Sequence, residues 1–252
     1  MELTDALQAI FRWIHVAAGV MWIGHLYFFN FVNAPLGATL DGPTKKVVVP
    51  QLMPRALYWF RWGAAWTWIT GVLLLMLVFY HGGAVFAAGH GWTFASVVMV
   101  LATFLVAMVY DTLAKADFAK NLQTFGGVGW VLTAVMVLLF IYVGGFGYRG
   151  YSIHTGTMFG TIMAMNVWMR IWPAQQKIIT AIRDGQPPDA ALVALAGARS
   201  RHNTYLSVPL LWTMIDYHTT AFANPIALLI VVPVGWAAVY WLYTKAGQVK
   251  GF

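Results

Sequence analysis

The chain has 252 residues, of which 60% are hydrophobic and 9% are charged. Soluble domains carry about 25% charged residues, so this composition excludes a soluble enzyme. The absence of cysteine excludes disulfides, thiolate metal sites, iron–sulfur clusters and covalently attached c-type haem. The formal net charge of +7 does not indicate nucleic-acid binding, because the basic residues form short clusters between apolar segments, as in membrane proteins.

Apolar segments along the chain predict an all-α fold, a polytopic membrane helix bundle in which residues 1–252 form one integral membrane domain. A membrane-crossing helix needs roughly 20 mostly apolar residues. Windows of that length give seven spans, near 7–32, 56–80, 92–113, 128–147, 151–172, 203–217 and 225–243. The first span is not a cleaved signal peptide, because its apolar part is too long and it carries Arg12 and His15.

Lysine and arginine alternate between the predicted loops. The first, third and fifth loops and the C-terminal tail are basic, whereas the second and sixth loops have no Lys or Arg and the fourth has only Arg149. Basic loops stay in the cytoplasm, so we expect a periplasmic N-terminus, a cytoplasmic C-terminus and a multi-pass protein of the bacterial inner membrane. The fifth loop predicts a helix continuing past Trp172, a turn at 184–188 and a short helix before Arg199.

The seven histidines are informative, because an ionisable side chain at membrane depth is costly and usually faces a protein interior. At about 1.5 Å per residue, His15 lies roughly 12 Å below the outer end of the first span. His154 lies about one turn below the outer end of the fifth span. The histidines divide into an outer group of His15, His81, His90, His154 and His218 and an inner pair of His25 and His202.

The outer group meets the requirements of a b-type haem site. Such a site needs neutral imidazoles from two helices at matching depth, with small residues beside them. His15 is followed one turn on by Gly19, and Gly156 and Gly160 follow His154. The predicted ligands of the haem iron are therefore His15 and His154.

Further residues extend this haem prediction. Arg12 and Arg149 lie near the outer boundary, where they are expected to neutralise haem propionates. The inner pair His25 and His202 suggests a second cofactor, so the sequence predicts one or two haems b. Each histidine alone is explained equally well by a hydrogen bond to a neighbouring carbonyl, and His202 by capping its helix.

A copper or zinc centre is a less favoured alternative to haem. Imidazole suits both metals, and His81, His90, His154 and His218 are all expected on the outer side. However, His81 and His90 lie among glycines and are expected in a flexible exposed loop, which would hold ligands loosely.

Several sequence motifs resemble the membrane domain of the bacterial cytochrome-c-linked urate oxidases. They are RWIH at 12–15, MWIG at 21–24, WTWITG at 66–71, IHTGTMFGTIM at 153–163, WPAQQK at 172–177 and RHNTYLSVP at 201–209. The resemblance covers nearly the whole chain. It implies a multi-span membrane domain that is followed by a cytochrome c domain, in an assembly that oxidises urate and passes the electrons outward. It marks His15, His154, His202 and His218 as the histidines within family motifs.

Two departures from that family shape the functional prediction. The sequence reaches Phe252 without a Cys-x-x-Cys-His motif, and position 25 is histidine where the family is expected to have a small residue. We therefore expect a stand-alone form of the urate oxidase N-terminal family that lacks the cytochrome c domain.

Three functions remain open from the sequence. The first is a membrane b-type haem protein carrying electrons between a periplasmic redox partner, such as a cytochrome c, and the quinone pool or a respiratory complex. The second, which rests on the resemblance alone, is a membrane oxidase of urate or another purine. The third is a non-redox accessory subunit of a membrane complex. The sequence leaves open whether the chain itself is an enzyme.

Overall fold

Long helices dominate the N-terminal third of the chain. A computed structural model describes residues 3–216 and 221–249. Helix α1 covers Leu3–Tyr27 and continues through a π-helical turn, Phe28–Asn33, into the short helix α2, Ala34–Thr39. Helix α3 covers Gly42–Leu74 and ends in a second π-helical turn, Leu75–His81.

The remaining described helices follow after a loop. Their bounds are α4, Phe94–Leu113; α5, Leu122–Tyr142; α6, Tyr148–Asn166; α7, Trp172–Arg183; α8, Ala190–Ile215; and α9, Pro225–Ala246. A 3₁₀ turn at Asp117–Lys120 precedes α5, and a third π-helical turn at Val167–Ile171 joins α6 to α7. Among the described residues no β-strand forms, and a single antiparallel bridge links Phe86 to Phe146.

Local sequence signals explain where α4 and α5 begin. Thr93 and Ser96 form a capping box, in which each side chain accepts a hydrogen bond from the other residue's backbone N–H. The side chain of Asn121 accepts from the N–H groups of Gln123 and Thr124 at the start of α5. These side chains satisfy backbone donors that the first helical turn leaves without an intrahelical partner.

Within residues 3–216 and 221–249, five helical stretches are long and apolar enough to cross a membrane. They are Leu3–Thr39, Gly42–His81, Phe94–Leu113, Leu122–Tyr142 and Pro225–Ala246. These stretches contain most of the predicted spans one, two, three, four and seven. The all-α prediction is confirmed for the described residues.

The other two predicted spans, 151–172 and 203–217, overlap α6 and the second half of α8, and these helices are not among the five stretches found in the described residues. The first of them falls mainly in α6, where Ser152, His154, Thr155 and Asn166 are all buried. Polar side chains lower the mean hydropathy of a helix even when protein surrounds them. A low mean hydropathy is therefore compatible with a membrane position for α6.

The loops on either side of the predicted spans differ from expectation. Residues 42–55, predicted as part of a basic loop, belong to α3, so the separate first loop was wrong. The predicted span begins at Ala56 because lysine and arginine precede that residue, although these residues are compatible with a helix. The turn near 184–188 is present, but the predicted short helix before Arg199 is the first part of the continuous helix α8.

The chain divides into two compact units. The first unit comprises residues 1–8, 71–162 and 206–237, and its core contains Phe79, Val85, Val137, Phe140 and Phe146, among others. The second unit comprises residues 9–70, 163–205 and 238–252, and it includes a small cluster of Ala174, Ile178 and Ala196. The single-domain assignment stays a prediction.

Candidate functional site

His154 belongs to the first unit and is fully buried. Its Nδ1 donates to the carbonyl oxygen of Gly150, one helical turn earlier, at 2.7 Å. Its Nε2 accepts a hydrogen bond from the hydroxyl of Tyr80 at 3.1 Å. The ring of Phe146 lies 4.6 Å from the imidazole, centroid to centroid, and that of Phe140 lies 5.6 Å away. Both ring nitrogens are thus occupied by protein groups, and aromatic rings enclose the imidazole.

Tyr80 reaches His154 from the π-helical turn that ends α3. A π-helical turn accommodates an extra residue, and such turns recur at functional sites. Tyr80 was not among the predicted site residues, because in the sequence it is only the end of the second predicted span. A tyrosine beside a histidine far along the sequence leaves no local sequence signal, so this pair was missed.

His15 has a different environment, in the second unit. Its half-buried ring bonds through Nδ1 to the backbone oxygen of Thr67 at 2.9 Å and lies 3.3 Å from the hydroxyl of Thr70. Metal-binding histidines usually donate the second ring N–H to a carbonyl or carboxylate in this way. The hydrogen bond to Thr67 is therefore compatible with a ligand role for Nε2, and equally with the simpler prediction of a histidine bonded to a carbonyl.

The glycines near the predicted ligands differ in how closely other residues approach them. A Cβ added at Gly156 would overlap the hydroxyl of Thr213 and lie 2.9 Å from Cε of Met214, both on α8. In the second unit, Gly19 faces the side chain of Thr67 on α3. Gly156, expected to admit a macrocycle, instead lets α6 and α8 approach closely, whereas Gly19 and Gly160 would accept a Cβ at ordinary contact distance. A haem on His154 would have to displace Tyr80 and open the contact between α6 and α8, so the residues around His154 do not fit that group.

Of the other outer histidines, His81 and His90 lie within the described residues. His81 and His90 are exposed, and backbone hydrogen bonds join Val85 and Ala87 of their loop to residues 145–147. The loop is thus held to the connection between α5 and α6, which sequence reasoning did not anticipate. Within residues 3–216 and 221–249, no group of three or more His, Asp or Glu side chains is arranged to hold a metal ion.

Four other predicted site residues are placed less centrally or lie outside the described residues. Arg12 and Arg149 are exposed, and His25 is half-buried, with Nδ1 bonded at 2.7 Å to a carbonyl one turn earlier in its own helix. His218 lies outside the described residues.

Helix α8 carries a group of buried polar residues, the α8 cluster, made of Arg199, His202, Asn203 and Thr204. Arg199 is 1% exposed, and His202, Asn203 and Thr204 are also buried. The prediction that His202 opens or caps its helix was wrong, because α8 begins at Ala190 and His202 lies well inside it. The structure therefore places an imidazole and a guanidinium in the interior of the second unit.

Amide side chains extend this cluster. Asn203 donates to the carbonyl oxygen of Met163 at 3.0 Å and accepts from the side chain of Asn166 at 2.8 Å. Both asparagines are fully buried. The sequence analysis named Asn203 only within a family motif. Two asparagines inside apolar helices were the available signal, because buried amides need hydrogen-bond partners.

Asn30 links three further elements of the second unit. Its amide nitrogen donates to the carbonyl of Leu26 at 2.9 Å and to the hydroxyl of Ser200 at 2.8 Å. Its amide oxygen accepts from the hydroxyl of Tyr243 at 2.8 Å. The guanidinium of Arg201 lies 6.0 Å from the ring of Tyr243. These contacts join the π-helical turn after α1 to α8 and α9.

Two carboxylates of the second unit form local interactions in surface turns. Hydrogen bonds from Thr44 hold the pKa of Asp41 below its ordinary value. The guanidinium of Arg183, 2.8 Å away, lowers the pKa of Asp184 through a hydrogen bond. Both groups are fully exposed, so they belong to the surface and not to the buried α8 cluster.

The fold and these clusters define a class: an all-α protein with apolar helices suited to lipid and polar side chains buried among them. The urate oxidase N-terminal family matches residues 37–246. The chain belongs to this family, which confirms the resemblance of the sequence motifs. Neither the curated proteins nor the solved structures contain a match.

Proposed function

We propose that the protein is a membrane oxidoreductase related to urate oxidase, acting on urate or another small purine. The observation that carries this proposal is the family match over residues 37–246. Oxidation of a purine releases electrons, which an acceptor must take up. The candidate acceptor is a cytochrome c or a quinone of the bacterial inner membrane.

The α8 cluster supplies the side chains that a purine anion would need. Urate is a planar monoanion near neutral pH, with carbonyl oxygens and ring N–H groups around its edge. A guanidinium donates paired hydrogen bonds to such an edge, and amide and hydroxyl groups donate or accept along it. In this proposal Arg199 and His202 bind the anion, and Asn203 fixes its orientation.

Urate binding and urate oxidation test the proposal separately. Purified protein is mixed with labelled urate in equilibrium dialysis, and urate-dependent reduction of ferricyanide or cytochrome c is followed optically. Arg199→Lys and His202→Gln should weaken urate binding about 10–100-fold, as expected when a charged hydrogen bond is lost. Arg183→Lys, at the exposed pair with Asp184, should bind normally.

Two results would decide against a purine substrate. They are the failure of urate to bind the wild type in dialysis and urate binding without reduction of either acceptor. If Arg199→Lys and His202→Gln bind urate as tightly as the wild type does, with unchanged thermal stability, urate does not bind at the α8 cluster.

The b-type haem carrier stays a prediction. His15 has a hydrogen bond compatible with a ligand, whereas the contacts of His154 favour a protein partner. Pyridine haemochrome quantification of protein expressed with ample haem tests it directly. A Soret band lost in both His15→Ala and His154→Ala would restore the bis-histidine site.

An accessory subunit without redox chemistry is the remaining candidate. Its signature would be a chain free of haem and metal that co-purifies with a stable membrane complex. Urate binding by the isolated chain would argue against it.

A further inference from the structure

The contact between Tyr80 and His154 combines three features. The phenol hydroxyl lies 3.1 Å from Nε2, and Nδ1 of the same ring is bonded to Gly150. The imidazole is fully buried, and phenylalanine rings line it. With the Nδ1 proton committed to a carbonyl, the lone pair of Nε2 faces the phenol proton.

That arrangement lowers the cost of oxidising the phenol. A phenol that has lost an electron becomes a strong acid, and in an apolar interior its proton needs an acceptor at hydrogen-bond distance. His154 is such an acceptor, and the imidazolium formed keeps its second N–H bonded to the Gly150 carbonyl. The surrounding phenylalanines are harder to oxidise than a phenol, so they would leave the radical on Tyr80.

A second aromatic contact connects the pair to the surface. The ring of Trp92 lies edge-on to Tyr80, 5.4 Å between centroids, and Trp92 is 51% exposed. Both residues belong to the first unit. An oxidant that approaches Trp92 from outside is therefore one aromatic contact away from the phenol.

We propose that Tyr80 and His154 form a redox-active pair that passes single electrons between the protein interior and an external one-electron oxidant of the ferric-haem or metal-complex class. The O–H bond of Tyr80 breaks, one electron leaves for the oxidant, and the proton forms a bond with Nε2. The products are a neutral tyrosyl radical, a His154 imidazolium and the reduced oxidant. When a donor returns one electron, the proton moves back to the phenol oxygen. The pair is independent of which substrate the protein oxidises.

Photo-oxidation tests the pair without any substrate. Full-length protein in detergent is illuminated with ruthenium tris-bipyridine and a sacrificial acceptor, and the radical is recorded by electron paramagnetic resonance and transient absorption. Because the chain has 11 tyrosines, some of them exposed, the expected result is a rapidly formed neutral tyrosyl component in wild type that Tyr80→Phe lacks. Tyr148→Phe is the matched control, because that half-buried hydroxyl donates to a backbone carbonyl and not to an imidazole. It should keep the signal.

The role of His154 has its own readout. In His154→Gln the side chain still accepts a hydrogen bond but is not a base, so radical formation should slow by roughly 100-fold, the lower range for a positioned base. Should that variant fail to fold, a deuterium isotope effect on radical formation in wild type tests the same proton transfer. Trp92→Phe should slow radical formation without removing the signal.

Several outcomes would overturn the pair. They are an unchanged tyrosyl signal in Tyr80→Phe, equal rates in His154→Gln, and a wild-type rate that is identical in light and heavy water. Urate dialysis on the same samples is a separate readout, so loss of the pair and loss of the substrate assignment are distinguishable.

Discussion

At the scale of single residues, the neighbours of each histidine decide what its ring can do. His15, His25 and His154 each bond through Nδ1 to a backbone carbonyl, yet only His154 is fully buried with a phenol at Nε2. The sequence predicted both His15 and His154 as haem ligands, because both lie toward the outer ends of their spans. Their contacts separate them, because a hydrogen bond at Nε2 competes with any metal for the same lone pair.

The close packing around His154 and Tyr80 predicts the effect of a substitution at Gly150. Gly150→Ala should destabilise the protein, because the new Cβ would overlap the carbonyl oxygen of Val85, with Cβ of Phe146 at 3.1 Å. Overpacking of this kind costs about 1–3 kcal/mol. Thermal unfolding in detergent, followed by tryptophan fluorescence, measures the change.

Gly129→Ala is the matched control for that substitution. Gly129 lies within α5 and has open space where a Cβ would be. Alanine is favoured over glycine inside a helix by roughly 0.5–1 kcal/mol, so this variant should be equally or more stable. Equal melting temperatures for the two variants would show that the close approach at Gly150 is not a constraint.

The residues that the sequence identified, and those it missed, differ in a physical way. His154 and His202 stand out because an imidazole is unusual inside apolar helices. Arg199 was assigned to the basic fifth loop, so its burial in α8 was not predicted. Tyr80 and Asn30 do not stand out, since a tyrosine at a span end and an asparagine near one are ordinary. Their importance arises from contacts between residues far apart in sequence, which no local pattern encodes.

At the scale of elements, π-helical turns follow α1, α3 and α6. The first turn contains Asn30, the second contains Tyr80, and the third contains Trp168, whose indole donates to the carbonyl of Arg61 at 3.1 Å. A π-helical turn changes the direction of the side chains that follow it relative to an ideal helix. Hydrophobic periodicity assumes constant rotation per residue, so it predicts the helices but not which side chains these turns bring together.

The hydrogen bond between Asn30, in the turn after α1, and Tyr243 predicts an energetic coupling between these two residues. Asn30→Ala should remove the acceptor of Tyr243 and the donor to Ser200 together. Combined with Tyr243→Phe in a double-mutant cycle, it should show a coupling of about 0.5–1.5 kcal/mol, the net value of one buried hydrogen bond. Thermal or denaturant unfolding of the four proteins measures the coupling.

Tyr240→Phe provides the control cycle. Tyr240 lies on the same helix, one turn before Tyr243, and is 68% exposed. The change in the free energy of unfolding caused by Tyr240→Phe should add to the change caused by Asn30→Ala, without coupling. Additivity in both cycles would mean that the bond between Asn30 and Tyr243 contributes nothing specific.

At the scale of the whole molecule, the open question is how many helices cross the membrane. Composition supports five spans, and the sequence predicts seven by including α6 and the second half of α8. Helix α6 is polar because its buried face carries His154, Thr155 and Asn166. Polar helices enclosed by other helices do occur in membranes, since the lipid contacts only the outer helices.

Single-cysteine labelling distinguishes these topologies, and the natural absence of cysteine makes every introduced thiol unique. Ala88→Cys and Gln186→Cys place thiols at exposed positions before α4 and after α7. If α4, α5 and α6 all cross, the two positions lie on opposite sides of the membrane. If α6 does not cross, they lie on the same side.

Because the second loop has no Lys or Arg and the segment near 186 follows Lys177 and Arg183, we expect position 88 in the periplasm and position 186 in the cytoplasm. A membrane-impermeant maleimide should therefore label only the Ala88→Cys protein in intact cells and both proteins after permeabilisation. The parent protein should remain unlabelled, and labelling of both variants in intact cells would contradict a crossing by α6.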